Sequence, residues 1–181
     1  MSASTITTNR LATLAQLAEA APTPFGRTAL MKLCYFMQTL KGIPLGYDFT
    51  LYSYGPFDSE VLSDLHTAES LSILQSSVSH FSGGYSYQIE ASDNASQAIQ
   101  HGKEFIAQYR ARIDWIVSKF ASRSASELEL LSTIVFVDRQ DKIVSKSDLV
   151  KLVKAIKPQF SDAEIIRKVD WLRKEELLKQ V

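Results

Sequence analysis

The side chains best suited to nucleophilic or metal chemistry are one cysteine and three histidines, Cys34, His66, His80 and His101. The histidines show no HxxxH spacing and the chain has no CxxC pair, so the spacing does not direct them to one metal ion. Cys34 falls on the apolar stripe of a predicted helix, where burial raises a thiol's pKa and lowers its reactivity. We therefore expect no catalytic residue, no metal site and no cofactor. A cryptic hydrolase is the third hypothesis, and it requires Cys34 or a histidine to line an open pocket.

The glycines and acidic groups do not form a familiar reaction centre. Gly83 and Gly84 lie inside a predicted hairpin, and the sequence contains neither GxxxxGK[ST] nor GxGxxG, so nucleotide binding has no support. Asp58, Glu60 and Asp64 cluster at the start of a predicted helix, where the helix dipole favours negative charge. We interpret these acids as helix-start residues rather than as an acid/base pair.

A basic segment offers a candidate nucleic-acid surface. Residues 139–157 carry six Lys or Arg against two Asp, and Lys151, Lys154 and Lys157 are three apart, which predicts one solvent-facing stripe. The alternative interpretation is an ordinary solvated helix face, because lysine is common at exposed helix positions. The helix that a winged-helix protein would insert into DNA, roughly residues 58–69, is acidic and has no Lys or Arg. The candidate nucleic-acid-binding residues are therefore Lys146, Lys151, Lys154 and Lys157.

Aromatic residues are dense between positions 47 and 87, and they suggest a protein-binding surface. Tyrosine offers a large contact area with a polar tip, which suits an interface as well as the rim of a core. About half of this aromatic set is expected in the core. The candidate partner-binding residues are Tyr52, Tyr54, Phe57, Tyr85 and Tyr87.

The first half of the chain predicts three helices, a short strand and a hairpin. Apolar spacing indicates helices near residues 11–18 and 30–40, the second closed by the turn sequence KGIPLG. Residues 49–54 read as a short extended segment broken by Gly55-Pro56, after which Asp58 or Ser59 caps a third helix. Two alternating runs joined by Ser82-Gly83-Gly84 predict a hairpin. This order of elements is typical of a winged-helix unit.

A helical second part is predicted from Ser92 onward, with Gly102 as a break near its start. Capping-box spacing marks three further helix starts, Ser126 with Glu129, Ser145 with Asp148, and Ser161 with Glu164. We therefore expect an α+β, mostly α fold with a winged-helix-like unit at residues 1–91 and a helical part at residues 92–181 packed against it.

Composition limits the compartment and the class of partner. The 181 residues are 45% hydrophobic, enough for a real core, and 20 basic residues balance 20 acidic ones. Residues 1–100 carry four basic against eight acidic groups, which leaves residues 101–181 with a net charge of +4. The chain has no apolar stretch of the roughly 20 residues that cross a bilayer, and its start lacks a signal-peptide core. With a single cysteine, these features predict a cytoplasmic protein with no membrane contact.

Two segments resemble the uncharacterised bacterial YwgA-type proteins. The first has the pattern [RK]xxLxKLxYxxQ, then Y-x-YGP, then Ser and a leucine-rich helix; the second is the tail KPQFSDAEIIRKVDWLRKEELL. The KLxYxxQ helix and the YGP corner are also distantly similar to the Panacea domain of antitoxins and phage-associated proteins. The residues that carry these resemblances are Arg27, Leu30, Lys32, Leu33, Tyr35, Gln38, Tyr52, Tyr54, Gly55, Pro56, Ser59, Leu62, Lys157, Pro158, Phe160, Ser161, Glu164, Ile165, Trp171 and Leu172.

The resemblance implies a non-enzymatic accessory role, in which the protein neutralises or delivers a partner protein or regulates transcription. Our first hypothesis is therefore an antitoxin-like interaction or regulatory module that binds a protein, such as a toxin or a subunit of a complex. The alternative is a DNA-binding transcriptional regulator that uses the basic helix. A homodimer is compatible with either hypothesis.

Overall fold

The computed structural model describes residues 3–81, 84–140 and 145–179. Helices dominate the described residues, with two small antiparallel hairpins between them, which confirms the α+β, mostly α class. The elements in chain order are α1 Ala3–Ala20, α2 Arg27–Lys41, β1 Thr50–Tyr52, β2 Gly55–Phe57, α3 Ser59–Ser70, β3 Leu74–Phe81, β4 Gly84–Ala91, α4 Ala95–His101, α5 Lys103–Phe120, α6 Ala125–Asp138, α7 Lys146–Ile156 and α8 Asp162–Lys174.

The second hairpin, formed by β3 and β4 and called the wing below, lies at the place in the chain where a hairpin was predicted. Its strands pair antiparallel from Leu74 with Ala91 to Phe81 with Gly84. Of the predicted turn, Ser82 and Gly83 lie outside the described residues. Phe25 bridges to Ile89 at the outer side of β4, through backbone hydrogen bonds of 3.3 and 2.8 Å. The short strand β1 does not join this sheet, and the winged-helix assignment stays a prediction.

The first hairpin, β1 with β2, is called the corner hairpin below and differs from the sequence prediction. Gly55-Pro56 was expected to end the extended segment, but the chain turns at Ser53 and Tyr54 and returns, pairing Tyr52 with Gly55 and Thr50 with Phe57. Gly55 adopts φ +89°, a backbone conformation that favours glycine. The sequence motif therefore builds a complete two-stranded corner directly before α3.

The helix starts follow the predicted caps with one correction. Asp58 caps α3 by accepting a hydrogen bond from the Glu60 N–H, and Ser161 forms a full capping box with Glu164 at α8. Ser145 caps α7 as expected. The prediction of Ser126 as a cap is wrong, because α6 begins two residues earlier, at Ala125, and Ser124 accepts a hydrogen bond from the Glu127 N–H.

One hydrophobic cluster extends across residue 91, and the boundary predicted there stays a prediction. Helix α1 packs against α4 and α5, and α2 packs against α5 and α6. Phe36 of α2 stacks on Phe120 of α5 with ring centroids 4.3 Å apart. The buried residues of both parts belong to the same cluster. The second part therefore completes the core that the first part begins.

Arg10, which sequence analysis did not single out, fixes the acidic helix α3. Its buried guanidinium donates to the carbonyls of Leu45 and Gly46, both at 2.6 Å, and pairs with Glu60 at 2.5 Å. Asp64 accepts a hydrogen bond from the Tyr47 hydroxyl at 2.8 Å. Burial of Asp64 raises the pKa of its carboxyl, although Tyr47 and Arg10 oppose the shift. Much of the predicted acidic face of α3 is thus used inside the fold.

None of the helices among the described residues is both long and apolar enough to cross a membrane.

Candidate protein-interaction site

The corner hairpin presents two tyrosines to solvent at a tight turn. Tyr52 is 64% exposed and Tyr54 is 71% exposed, while Phe57 on the returning strand is half-buried. The rings of Tyr52 and Phe57 lie 5.4 Å apart, so they form one aromatic pair at the end of the hairpin. Exposed aromatic rings are not explained by core packing, which makes this turn a candidate contact surface.

The backbone of the corner hairpin packs tightly on α6. A Cβ added to Gly55 would lie 3.0 Å from the Thr133 Oγ1 and 3.2 Å from the Ser132 Oγ. Lys32, buried on α2, donates from its Nζ to the Pro56 carbonyl at 2.7 Å. The two exposed tyrosines therefore extend from a backbone that is fixed on its inner side.

A second buried lysine contacts the same hairpin from the other half of the chain. Lys157 is 1% exposed, and its Nζ donates to the Ser53 carbonyl and to the Glu129 carboxylate, the latter at 2.5 Å. Gln159 also donates to Glu129, at 3.2 Å. Because a buried charge is costly unless it is paired and hydrogen-bonded, Glu129 is the group that makes Lys157 acceptable here.

The charge of Lys32 is less well neutralised by nearby groups than the charge of Lys157. Burial, with a further contribution from the nearby Lys157 charge, lowers the pKa of its ammonium from 10.5 to about 8, and Glu129 opposes the shift. The region behind the corner hairpin therefore contains two ammonium groups and one carboxylate. The carbonyls of Ser53 and Pro56 supply the remaining acceptors.

The predicted lysine stripe is wrong in its placement of Lys157, which is buried rather than solvent-facing. Lys154 donates to the carbonyls of Pro158 and Phe160, and Lys146 pairs with Asp170 at 2.5 Å. Lys151 is exposed. Helical spacing could not reveal this, because α7 ends at Ile156 and Lys157 lies beyond the helix, where the chain turns inward. The four lysines do not form one cationic surface.

The wing carries the second aromatic pair. Tyr85 is 62% exposed and Tyr87 is half-buried, with ring centroids 5.9 Å apart in an edge-on arrangement. The guanidinium of Arg27 lies 3.7 Å from the Tyr87 ring centroid, a cation–π contact that orients the ring. Val78, directly opposite Tyr87 in the register, is 49% exposed. A groove of about 490 Å³ lies at the foot of this face, with Arg27, Glu69 and Tyr87 among its lining residues.

The two aromatic pairs lie near the same end of α2 but remain separate. Arg27 contacts Tyr87 of the wing, and Met31, one helical turn later, accepts a weak hydrogen bond from the Asp58 N–H beside the corner hairpin. Within the described part of the chain, no ring contact joins the two pairs. The five predicted partner-binding residues thus form two patches with α2 between them. Val78 extends the wing patch. Its spacing of two and four residues from Ser76 and Leu74 places it on their face of β3, which is the sequence signal that could have identified it.

The cysteine and histidine side chains considered for catalysis are less favourably placed for a function than the exposed tyrosines. Cys34 is fully buried, and burial raises the pKa of its thiol far above the ordinary value. His101 lines an open groove of about 320 Å³ between α1 and α4, with Thr8 and Asn94 nearby, and so meets the condition set for a cryptic enzyme. The Thr8 hydroxyl in this groove donates its hydrogen bond to the Ser4 carbonyl rather than to His101. The side chain of His80 lies outside the described residues.

Among the residues that the structure describes, no group of three His, Cys, Asp or Glu side chains is placed to hold a metal ion. Comparison with protein-family models and with curated proteins finds no match to the chain.

Proposed function

We propose that this protein is a non-catalytic interaction module that binds a partner protein through the aromatic patches of the corner hairpin and the wing. The observation that carries the proposal is the exposure of Tyr52, Tyr54 and Tyr85, each above 60%, on short hairpins whose backbones are anchored to the core. The type of partner follows the resemblance noted in the sequence, a toxin or a subunit of a complex.

Rigid, exposed tyrosines suit this role energetically. A tyrosine side chain buries a large area on binding and loses little conformational entropy, since it has only two rotatable side-chain bonds. Anchoring of the Ser53 and Pro56 carbonyls by Lys157 and Lys32 limits the backbone ordering that binding would require. The corner hairpin is therefore preorganised for contact with a partner.

The charges beside the patches indicate the chemistry of the partner. Asp48 and Glu60 are both exposed, although Arg10 pairs with Glu60, and both lie next to the corner hairpin. Residues 71–89 of the wing region contain no Lys, Arg, Asp or Glu. A partner surface with an apolar centre and a basic rim complements this arrangement.

The first test is affinity purification of the tagged protein from its host after nuclease digestion, with quantitative mass spectrometry. The wild type is compared with the double variant Tyr54→Ala/Tyr85→Ala, and Leu152→Ala serves as a matched control because Leu152 is also an exposed apolar residue, on α7. We expect one protein to be recovered with the wild type and the control and lost with the double variant. Reconstitution with that purified protein should show weakening of at least about 2 kcal/mol, roughly 30-fold.

Circular dichroism of the double variant shows whether the fold is intact. Equal recovery of the partner with a folded double variant would refute the assignment of the tyrosine patches. Material that disappears on nuclease treatment would instead favour the nucleic-acid hypothesis, with Lys151 as the first residue to change.

A further inference from the structure

The backbone of the wing has one side that is covered and one that is open. Ile89 directs both its N–H and its C=O outward to Phe25. In an antiparallel ladder the residue opposite such a position also points its backbone groups outward, and the pattern repeats every second residue. Ser76 lies opposite Ile89 and Val78 lies opposite Tyr87, so both present their N–H and C=O groups at the outer side of β3.

The backbone at the outer side of β4 is covered by the segment Phe25-Gly26, whereas the outer side of β3 is open. Phe25 forms backbone hydrogen bonds with Ile89. The Tyr87 carbonyl lies against Gly26, and a Cβ added to that glycine would be 3.3 Å from the carbonyl oxygen. On β3, no backbone hydrogen bond from Ser76 or Val78 leaves the wing within the described residues. The wing therefore has a single open edge.

This open edge lacks the features that usually prevent strand pairing. Proteins protect exposed edges with lysines or other charges, proline, β-bulges or very short strands. Strand β3 has eight residues, its pairing with β4 is continuous without a bulge, and residues 71–89 contain no proline and no Lys, Arg, Asp or Glu. An unprotected edge of this length is expected to pair with another strand.

We propose that β3 pairs antiparallel with β3 of a second copy of this chain, across a two-fold axis close to Val78, to form a four-stranded sheet. The strand that fits this edge must be extended and uncharged, and β3 is itself such a strand. The Glu69 carboxylate of α3 lies beside it and accepts a hydrogen bond from the Ser76 hydroxyl. Because the outer side of β4 is covered, the pairing closes at two copies instead of continuing into a fibre.

The paired sheet keeps the aromatic face of both wings on one side. Directly opposite residues of an antiparallel pair lie on the same face, so both copies of Val78 join Tyr85 and Tyr87 there. This pairing uses the edge of the wing and is independent of the proposed partner binding, which uses its face.

The test is the solution mass of the full chain, measured by light scattering coupled to size exclusion and by sedimentation across a wide concentration range. We expect the wild type at twice the 20.2 kDa monomer mass at the higher concentrations. Val78→Lys places two like charges near the axis, and Val78→Pro removes an outward N–H without removing a hydrogen bond to β4. Both variants should run as monomers, while Gln88→Lys, the same charge on the polar face of β4, should remain a dimer.

A cysteine trap keeps the proposal testable if those variants fold poorly. Val78→Cys should form a disulfide-linked dimer on mild oxidation and Gln88→Cys should not, and the native Cys34 is buried and does not compete. A wild type that is monomeric at every concentration overturns the proposal. So does a dimer that persists in both Val78→Lys and Val78→Pro. A monomeric wild type that loses its captured protein on Ser76→Pro, which removes an outward N–H outside the aromatic patch, would assign the edge to a strand of that partner instead.

Discussion

Lys32 shows how a single buried side chain fixes the position of an exposed surface. Its ammonium is removed from water, lies near the charge of Lys157, and donates to the Pro56 carbonyl of the corner hairpin. In the sequence, Lys32 belongs to the pattern that resembles the YwgA-type proteins, and no role was predicted for it. In the structure its role is to fix the strand that returns from the exposed turn.

The lowered pKa of Lys32 gives the stability of the protein a specific dependence on pH. The folded state releases this proton near pH 8 and the unfolded state near pH 10.5, so between these values the unfolded state binds more protons. The contribution of Lys32 to the free energy of unfolding therefore rises with pH across that window. Lys32→Met removes this contribution.

We expect the wild type to gain stability relative to Lys32→Met as the pH rises from about 8 to 10.5, by up to about 3 kcal/mol. Urea denaturation of both proteins at several pH values measures the difference. Buried Tyr47 and Cys34 have raised pKa values and destabilise the fold at high pH, but they are present in both proteins and cancel. Lys151→Met, at an exposed lysine, is the control; a constant gap for Lys32→Met would contradict the prediction.

At the scale of secondary-structure elements, the junction between α4 and α5 is determined by its close contact with α1. Gly102 separates the two helices, and a Cβ at this position would lie 2.5 Å from the Cβ of Ala12 on α1. Its φ of −97° is accessible to any residue, so contact rather than backbone conformation requires glycine here. Helix α1 can pack on this junction only because both residues are small.

Gly102→Ala should therefore destabilise the protein by about 1 to 3 kcal/mol, because α1 must shift to relieve the overlap. The double variant Gly102→Ala/Ala12→Gly reopens the space and should recover part of this loss. Thermal and urea unfolding of the two single variants and the double variant form a double-mutant cycle. Strict additivity would show that the overlap is not the cause.

Sequence patterns predicted most elements well and failed where contacts between distant segments decide. The helices, the wing, the Gly102 break and the caps at Asp58, Ser145 and Ser161 follow from local spacing and local hydrogen bonds. At α6 only Ser126 was predicted as a cap, and the observed cap is Ser124. Glu129 was predicted to form a capping box with Ser126, but it pairs instead with Lys157, 28 positions later. A one-dimensional pattern does not contain that information.

The same limit applied to the candidate site. Exposure of Tyr52, Tyr54 and Tyr85 was anticipated from tyrosine density beside turns, but the separation of the two patches was not, since it depends on how both hairpins dock around α2. The lysine stripe failed for a related reason. Helical spacing was extended one residue past the end of α7, to a side chain that turns into the core.

At the scale of the whole molecule, the continuous core predicts cooperative unfolding of both parts of the chain. Cys34, the only cysteine, is buried in α2, while Trp115 and Trp171 lie in α5 and α8. Phe120 contacts Phe36 of α2, Trp115 and Trp171, so both tryptophans share one aromatic cluster with the helix that carries Cys34. Opening one part should therefore expose the other.

We expect thiol labelling of Cys34 and tryptophan fluorescence to report the same urea midpoint. Fluorescence follows the second part of the chain, and labelling follows the first. Lys151→Ala, at an exposed lysine on α7, should leave both midpoints unchanged and serves as the control. A labelling transition at clearly lower urea than the fluorescence transition would show that residues 1–91 open as a separate unit.

The contact of Lys157 with Ser53 joins positions 104 apart, and this has a consequence for biosynthesis. During translation the corner hairpin leaves the ribosome well before Lys157 and Glu129 have been made. Its turn therefore emerges without the ammonium that fixes the Ser53 carbonyl, and the proposed binding surface is completed only when the last third of the chain arrives. A partner that recognises the fixed turn would thus distinguish finished chains from nascent ones.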